Sequence, residues 1–331
     1  MKARKVLLLM AALALTFSAQ ANPTFHILDG ISNAATKATM ERNVNDLITL
    51  LNSSADAKKK KINLKEVSYV TPRVRETIEK MWDSSMMRFP DADIKASCLK
   101  VMTGGFQVRG LPLDVLSADK EEERQELTLD FTTSGQISNV AIAIDIHRYD
   151  VIMKKNESDI DYARKQAVVN FVEDFRTAYN KKDLDLIENV FSSNALIITG
   201  RIVTRATSQD LARHKMSNYV DVEYDVLNKK QYIEKLRRIF KNNKFINVKF
   251  SDVTVVKIPK KNDIYGVFLK QDWRTSRYHD EGLLYLKVDF SDRDFPMIQV
   301  RVWKPFRDAQ GNIIIADPKE DFSSFLMDYE I

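Results

Sequence analysis

The sequence of 331 residues has a single cysteine, Cys98, so no internal disulfide can form and packing must hold the fold together. Its histidines lack the spacing of metal ligands; they are His26, His147, His214 and His279. The sequence also lacks a glycine-rich phosphate loop and a Gly-x-Ser-x-Gly nucleophile motif. We therefore predict no metal site, no cofactor and no catalytic residue of these classes.

The sequence also lacks a large excess of positive or negative charge. The chain has 51 lysine and arginine residues against 46 aspartate and glutamate residues. Three of the basic residues, Lys2, Arg4 and Lys5, lie at the N-terminus, which leaves 48 basic against 46 acidic residues in the rest. Such a balance provides no long-range attraction for phosphate backbones. We predict no nucleic acid partner.

The only long apolar run lies near the N-terminus and has the pattern of an export signal. Lys2, Arg4 and Lys5 precede the run over residues 6–15, and Ala19 and Ala21 are small residues at the positions that a signal peptidase reads. A membrane-spanning helix needs about 20 residues, so this run is too short for an anchor. We predict a signal peptide over residues 1–21, no membrane span after processing, and a periplasmic or extracellular protein.

The rest of the chain divides into two halves, each with helices first and antiparallel strands after. In the first half, apolar spacing predicts a helix over 38–52. Thr71 and Pro72 start a second helix, because they combine a capping hydroxyl with proline at the first helical position. Strands are predicted over 99–111, 126–131 and 137–144, with a glycine-containing turn between the last two.

The second half follows the same plan more clearly. Its apolar patterns predict helices over 160–180, 183–190 and 229–240, and strands over 195–199, 246–258, 264–275, 282–290 and 297–303. The polar segment 201–228 lacks clear periodicity and is predicted to be a long loop. Three helices followed by an antiparallel meander indicate an α+β fold.

The second half also resembles a known family. The segment FVEDFRTAYNKKDL at 171–184, followed by FSSNALII at 191–198, is similar to the opening of a nuclear transport factor 2-like (ketosteroid isomerase-like) domain. The segments WRTS at 273–276 and DEGLLYL at 280–286 fit the long central hairpin of that family. In the first half the likeness rests on element order and on GFQVR at 105–109.

This resemblance implies two tandem cone-like domains, each with helices packed on a curved antiparallel sheet. The expected organisation is a linker over 22–37, a degenerate domain over 38–153, a second domain over 159–305 and a C-terminal tail over 306–331. The family includes isomerases, dehydratases and non-enzymatic binding or assembly modules, so the fold alone does not decide the function.

Strand alternation predicts which side chains of the second sheet face the helices. The inward set is Val267, Leu269, Gln271, Trp273, Leu284, Leu286, Val288, Phe290, Ile298, Val300 and Val302. The outward set includes Asp272, Lys287, Asp289, Gln299, Arg301 and Trp303, with Asp289 and Arg301 as a cross-strand pair. The inward set has no titratable group, and acid–base catalysis needs one within reach of the substrate. This argues against an enzyme.

We therefore predict an exported, non-catalytic binding or assembly module, with an unknown small molecule or protein as its partner. Aromatic residues around the cone opening would line the site: Tyr179, Trp273 and Tyr278, with Gln271 as the inward polar group. One alternative is an isomerase, dehydratase or hydrolase that uses a loop-borne base, His279 or His214. Another is an envelope structural protein that forms a homodimer through its sheet faces.

The export signal makes a direct prediction. Because Ala19 and Ala21 favour cleavage before Asn22, protein purified from its native host should begin at Asn22 when its intact mass is measured. Recovery of a chain that still begins at Met1 in the membrane fraction would contradict the prediction.

Overall fold

The structure is a computed structural model that describes residues 23–90, 93–101, 104–116, 122–144, 146–154, 160–203, 221–292 and 295–307, together with 313 and 322. The predicted signal peptide, His214 and most of the predicted tail lie outside the described residues. Within the described ranges, no helix is long and apolar enough to cross a membrane.

In its described residues, the first half contains two helices and two sheets. Its elements are β1 (Phe25–Ile27), α1 (Ala34–Asp56), α2 (Pro72–Ser84), β2 (Met86–Arg88), β3 (Ile94–Ala96), β4 (Cys98–Lys100), β5 (Phe106–Leu116), β6 (Glu122–Phe131) and β7 (Ile137–Ile142). The larger sheet has the order β2-β5-β6-β7, with β4 also paired to β5. Helix α2 begins as predicted: the Thr71 hydroxyl accepts the Val74 N–H, and Pro72 is the first helical residue.

The predicted linker over 22–37 is instead part of the folded first half. Strand β1 pairs in parallel with β3, the side chains of Phe25 and Ile27 are buried, and α1 already begins at Ala34. A strand of three residues is too short to show alternation, and its pairing partner lies far away in the chain. The sequence pattern therefore could not reveal it.

In the part of the second half that the structure describes, the helices pack on a six-stranded sheet. The elements of this half are α3 (Ile146–Lys154), α4 (Tyr162–Asn180), α5 (Leu184–Asn189), β8 (Phe191–Val203), β9 (Asp221–Leu227), α6 (Lys229–Asn242), β10 (Ile246–Lys257), β11 (Ile264–Thr275), β12 (His279–Asp289) and β13 (Met297–Pro305). The strand order is β10-β11-β12-β13-β8-β9, and β13 and β8 are the parallel pair.

The predicted loop over 201–228 was partly wrong. Strand β8 continues to Val203, and β9 pairs with it antiparallel as the edge of the sheet. Strand β9 is an edge strand with exposed Tyr224 and Val226, so its pattern lacks the buried face that identifies a strand in a sequence. Its pairing with β8 makes it a strand.

Two large hydrophobic clusters correspond to the two halves. One draws its buried residues from positions 25–142, and the other from positions 144–303. The predicted α+β class with two tandem cone-like domains is confirmed. The boundaries at 38–153 and 159–305 stay a prediction.

Helix α4 is shared between the halves. One side, with Phe171, Phe175 and Tyr179, packs into the core of the second half. The other side contacts β7, the edge strand of the first sheet, where the Thr177 hydroxyl accepts the Ile142 N–H at 2.8 Å. This contact satisfies a backbone donor that an open sheet edge would leave exposed.

Strand β13 corrects the predicted inward face. In the pairing with β12, Leu286 lies opposite Arg301 and Val288 opposite Ile298, so Gln299 is an extra residue that forms a bulge. Beyond the bulge the alternation is reversed. Val300 and Val302, predicted inward, pack on the outer face, while Arg301 and Trp303, predicted outward, face the helices.

The predicted cross-strand pair of Asp289 and Arg301 is therefore wrong. The Asp289 carboxylate instead accepts a hydrogen bond from the Gln299 side chain at 2.8 Å. The outer face of the sheet also carries an aromatic cluster, in which Phe322 from the predicted tail stacks on Tyr285 with ring centroids 5.8 Å apart. At this cluster the outer face is covered by the chain itself.

The inward position of Leu286 can be tested by unfolding in urea. Leu286 is fully buried in the second core, so Leu286→Ala should lower the free energy of unfolding by about 2–5 kcal/mol. Lys287→Ala, at a half-buried position on the opposite face, should lower it by much less than Leu286→Ala. Equal losses from the two variants would show that the assigned register of β12 is wrong.

Candidate functional site

The second cone contains a cavity of about 350 Å³ between helix α6 and the inner face of the sheet. Helix α6 contributes Tyr232, Leu236 and Ile239, and the strands contribute Trp273 and Trp303. The other lining residues are Thr199, Gly200, Arg201, Lys235, Asn243, Gln271, Thr275, Arg277, Tyr278, Asp280 and Arg301. An apolar, largely aromatic wall with a few polar groups is typical of small-molecule sites.

Arg301 is the most deeply placed charge in the cavity. Its side chain is only 4% exposed, and its guanidinium lies over the Tyr232 ring, 5.2 Å from the ring centroid. It also hydrogen-bonds the Tyr179 hydroxyl, which lies 2.6 Å from the Tyr232 hydroxyl. The Nε and Nη1 atoms of Arg301 are buried and have no hydrogen-bond partner in the described part of the chain.

Asp280 lies nearer the mouth. It is paired with Trp273 across β11 and β12, and it is hydrogen-bonded to Tyr278, whose ring is 58% exposed. Burial raises the pKa of Asp280 to about 6, against the opposing effect of the Tyr278 hydrogen bond. Its Oδ1 atom is buried without a partner among the described residues. A carboxyl group of this kind changes its charge within the physiological pH range.

Two further polar atoms at the same cavity have no hydrogen-bond partner in the described ranges, the Nε1 atom of Trp303 and the Oε1 atom of Gln271. The Trp303 indole lies directly against the backbone at Gly282, where any Cβ would overlap its ring. Glycine is therefore required at position 282 for the indole to lie where it does. The tight backbone contact fixes one aromatic wall of the cavity.

The structure brings three of the four predicted site residues to this cavity. Gln271, Trp273 and Tyr278 line it, whereas Tyr179 is fully buried behind it and contacts Trp273 edge-to-face, with centroids 5.3 Å apart. Trp273 is itself mostly enclosed in the core. Their role in binding stays a prediction.

His279, one of the two predicted loop-borne bases, does not line the cavity. His279 alternates to the outer face of β12, where its Nε2 atom lies 3.0 Å from the Asp272 carboxylate. His214 lies outside the described residues. In the described part of the chain, no group of three or more His, Cys, Asp or Glu side chains could hold a metal ion.

The sequence reasoning missed Asp280, Arg301 and Trp303. Extending the alternation backwards from Leu284 places Asp280 on the inner face, but the predicted strand begins only at residue 282, whereas β12 begins at His279. No comparable signal exists for Arg301 and Trp303. Their orientation depends on the bulge at Gln299, which exists only in the pairing with β12.

A second cleft lies between the two halves and has a different character. It has a volume of about 310 Å³ and is lined by charged residues such as Arg124, Arg176 and Lys249. Arg176 donates to the backbone oxygens of Val248 and Ala143, and Arg124 pairs with Asp114. These side chains join parts of the protein to each other, so the cone cavity is the better candidate site.

No family model and no curated protein matches the chain. Solved structures similar to it include Bd1075 from Bdellovibrio bacteriovorus, with 18% identity and a TM-score of 0.33 over 44% of this chain. That match spans only 42% of the length of Bd1075. An NTF-2 like protein of unknown function from Pseudomonas aeruginosa has 10% identity and a TM-score of 0.32 over 42% of this chain and 98% of its own.

Nuclear transport factor 2 from Cryptosporidium parvum is similar at 11% identity and a TM-score of 0.32, over 45% of this chain and 99% of its own. These matches agree with the predicted resemblance to nuclear transport factor 2-like proteins. At these identities and TM-scores, no activity is inferred from it.

Proposed function

We propose that the protein binds a small molecule in the cavity of its second cone. The observation that carries this proposal is the convergence of five buried polar atoms around one cavity, on Gln271, Asp280, Arg301 and Trp303; none of these atoms has a partner among the described residues. Buried polar atoms in folded proteins are nearly always hydrogen-bonded. A ligand or solvent must therefore satisfy these atoms, and their clustering supports a ligand.

The rigidity of the surroundings also supports binding. Tyr179, Tyr232 and Arg301 form one hydrogen-bonded group, and Gly282 holds Trp303 in place. Side chains that are fixed before binding lose little conformational entropy when a ligand arrives. We further propose that binding takes place outside the cytoplasm, on the basis of the N-terminal export pattern.

Filling the cavity should abolish binding. Ile239→Trp places an indole into the cavity from helix α6, whereas Val226→Trp adds the same group at an exposed position of β9. Aromatic fragments, with indole, benzyl alcohol and phenylacetate among them, would be screened by saturation-transfer NMR and thermal shift. We expect fragments to bind the wild type and Val226→Trp but not Ile239→Trp.

Thermal unfolding of Ile239→Trp without fragments serves as a control, since the variant must remain folded for the comparison to hold. Fragment binding that persists in a folded Ile239→Trp protein would place the site elsewhere. A wild type that binds no fragment would refute the proposal.

A second candidate function is proton transfer, and Asp280 is the observation that favours it. The sequence argument against an enzyme required an inner face without titratable groups, but Asp280 and Arg301 both lie on that face. A carboxylate with a raised pKa is a suitable general base near neutral pH, and neighbouring N–H groups could stabilise the resulting enolate. The base of this candidate is Asp280 rather than His279.

Deuterium exchange tests this candidate without knowledge of the natural substrate. In D₂O, the ionised Asp280 would remove a proton from the carbon next to the carbonyl of 2-indanone, and the enolate would then take up a deuteron. The wild type should exchange at least about 100-fold faster than Asp280→Asn, the lower end of general-base effects. Because the base must be ionised, the rate should rise with pH through about 6 and then level off.

Equal exchange rates in the wild type and Asp280→Asn, measured by NMR, would eliminate proton transfer by Asp280 and leave binding as the function. Fragment binding to Asp280→Asn is the matched control, since an amide of the same shape should preserve the cavity.

The third hypothesis, assembly through exposed sheet faces, has less support in the described residues. Phe268 and Tyr285 on the outer face are buried beneath Phe322 of the same chain. An assembly surface is normally a large exposed apolar patch. Homodimer formation stays a prediction.

A further inference from the structure

Among the described residues, five buried polar atoms around the cone cavity lack a hydrogen-bond partner. Two are acceptors, on Gln271 and Asp280, and three are donors: Nε and Nη1 of Arg301 and Nε1 of Trp303. A guanidinium and an indole N–H cannot accept hydrogen bonds. The group that satisfies them must therefore present acceptor oxygens, and a negative charge on that group would also compensate the buried positive charge of Arg301.

The charges that line the cavity favour an anion as well. Four are positive, on Arg201, Lys235, Arg277 and Arg301, and one is negative, on Asp280. Two of the cations have carboxylate partners within the protein, since Arg201 pairs with Glu223 and Lys235 with Asp225. Arg277 is exposed, which leaves Arg301 as the buried cation for a ligand.

The number of buried charges and hydrogen-bond donors in the cavity favours a carboxylate over a phosphate. A phosphate monoester carries nearly two negative charges and three terminal oxygens. Arg301 and Trp303 offer one buried positive charge, and the walls around them are apolar: Tyr232, Leu236 and Trp273. The single positive charge of Arg301 and the donors of Arg301 and Trp303 match an anion with one negative charge and two oxygen atoms. Asp280 also interacts electrostatically with Arg301 and so offsets part of its positive charge, which favours a singly charged ligand over a doubly charged one.

We propose that the ligand of the cone cavity is a small organic carboxylate with a flat apolar body, whose carboxylate binds to Arg301 and Trp303 while the aromatic walls enclose the body. This inference rests on the proposed binding function and specifies its ligand class.

Matched pairs of acids and amides test the inference by isothermal titration calorimetry at pH 7.5. The pairs are phenylacetate with phenylacetamide and indole-3-acetate with indole-3-acetamide, and phenyl phosphate represents the other anion class. At least one acid should bind about ten- to a hundredfold more tightly than its amide, the factor expected for hydrogen bonds to a charged group. Phenyl phosphate should bind more weakly than the acid.

Variants of Arg301 then identify the group responsible. Arg301→Gln should remove the preference for the acid over its amide, and Arg301→Lys should restore part of it, since it keeps the charge without the planar guanidinium. Arg237→Gln, which removes an exposed arginine paired with Glu234 on helix α6, should leave the preference unchanged.

Comparing acids with amides separates a binding role of Arg301 from a structural one. Arg301→Gln loses the contacts with Tyr179 and Tyr232 as well as a buried charge, so thermal unfolding without ligand serves to show that the variant remains folded. In a folded variant, loss of a binding arginine would weaken the acids only, whereas loss of a merely structural arginine would weaken acids and amides alike.

Three outcomes would overturn the inference. In the first, the wild type binds acids and amides equally tightly while Ile239→Trp binds neither. This result would refute the proposal that the ligand is a carboxylate but would leave the proposed binding function intact. Tighter binding of phenyl phosphate would assign the site to phosphates. If neither acids, amides nor neutral fragments bind, the ligand class and the proposed function both fail.

Discussion

One extra residue in β13 determines the chemistry of the second cone. Gln299 forms a bulge between two correctly paired stretches, Val288 with Ile298 and Leu286 with Arg301. Because side chains alternate with a period of two, a single inserted residue exchanges the two faces for the rest of the strand. Without the bulge, Val300 and Val302 would line the cone, and Arg301 and Trp303 would lie on the outer face.

The bulge is tolerated because both faces of the sheet can bury apolar side chains. Val302 packs with Phe268, Tyr285 and Phe322 on the outer face, so the reversal does not expose it to solvent. On the inner face, Arg301 contacts the Tyr179 and Tyr232 side chains, which supply a ring and hydroxyl groups. Phe322 shields Val302 from solvent on the outer face. The strand can therefore turn Arg301, a polar residue, to the inner face without exposing an apolar side chain.

Helix α4 connects this site to the rest of the protein. Its Glu173 carboxylate is buried, pairs with Arg109 of the first half and accepts the Ile144 N–H at 2.8 Å. Both charges are buried, so replacing Glu173 or Arg109 alone would leave an uncompensated charge at a cost of about 3–5 kcal/mol. The same helix ends beside the cavity with Tyr179. The first half therefore supports the helix that positions the hydroxyl next to Arg301.

The local elements of the chain could be predicted because their causes are local. Thr71 and Pro72 start α2 through capping and a preset backbone angle, and β11 spans Ile264–Thr275 as its alternation indicates. The α+β class and the inward position of Gln271 and Trp273 followed from the same patterns. What the sequence alone determined is thus the order of elements and most of one wall of the candidate site.

Other features depend on partners that lie far away in the chain. They are the short strand β1, the edge strand β9, and the orientation of Arg301 and Trp303. Tertiary pairing alone decided them, because a bulge or an edge strand is defined by the neighbouring strand and not by its own residues.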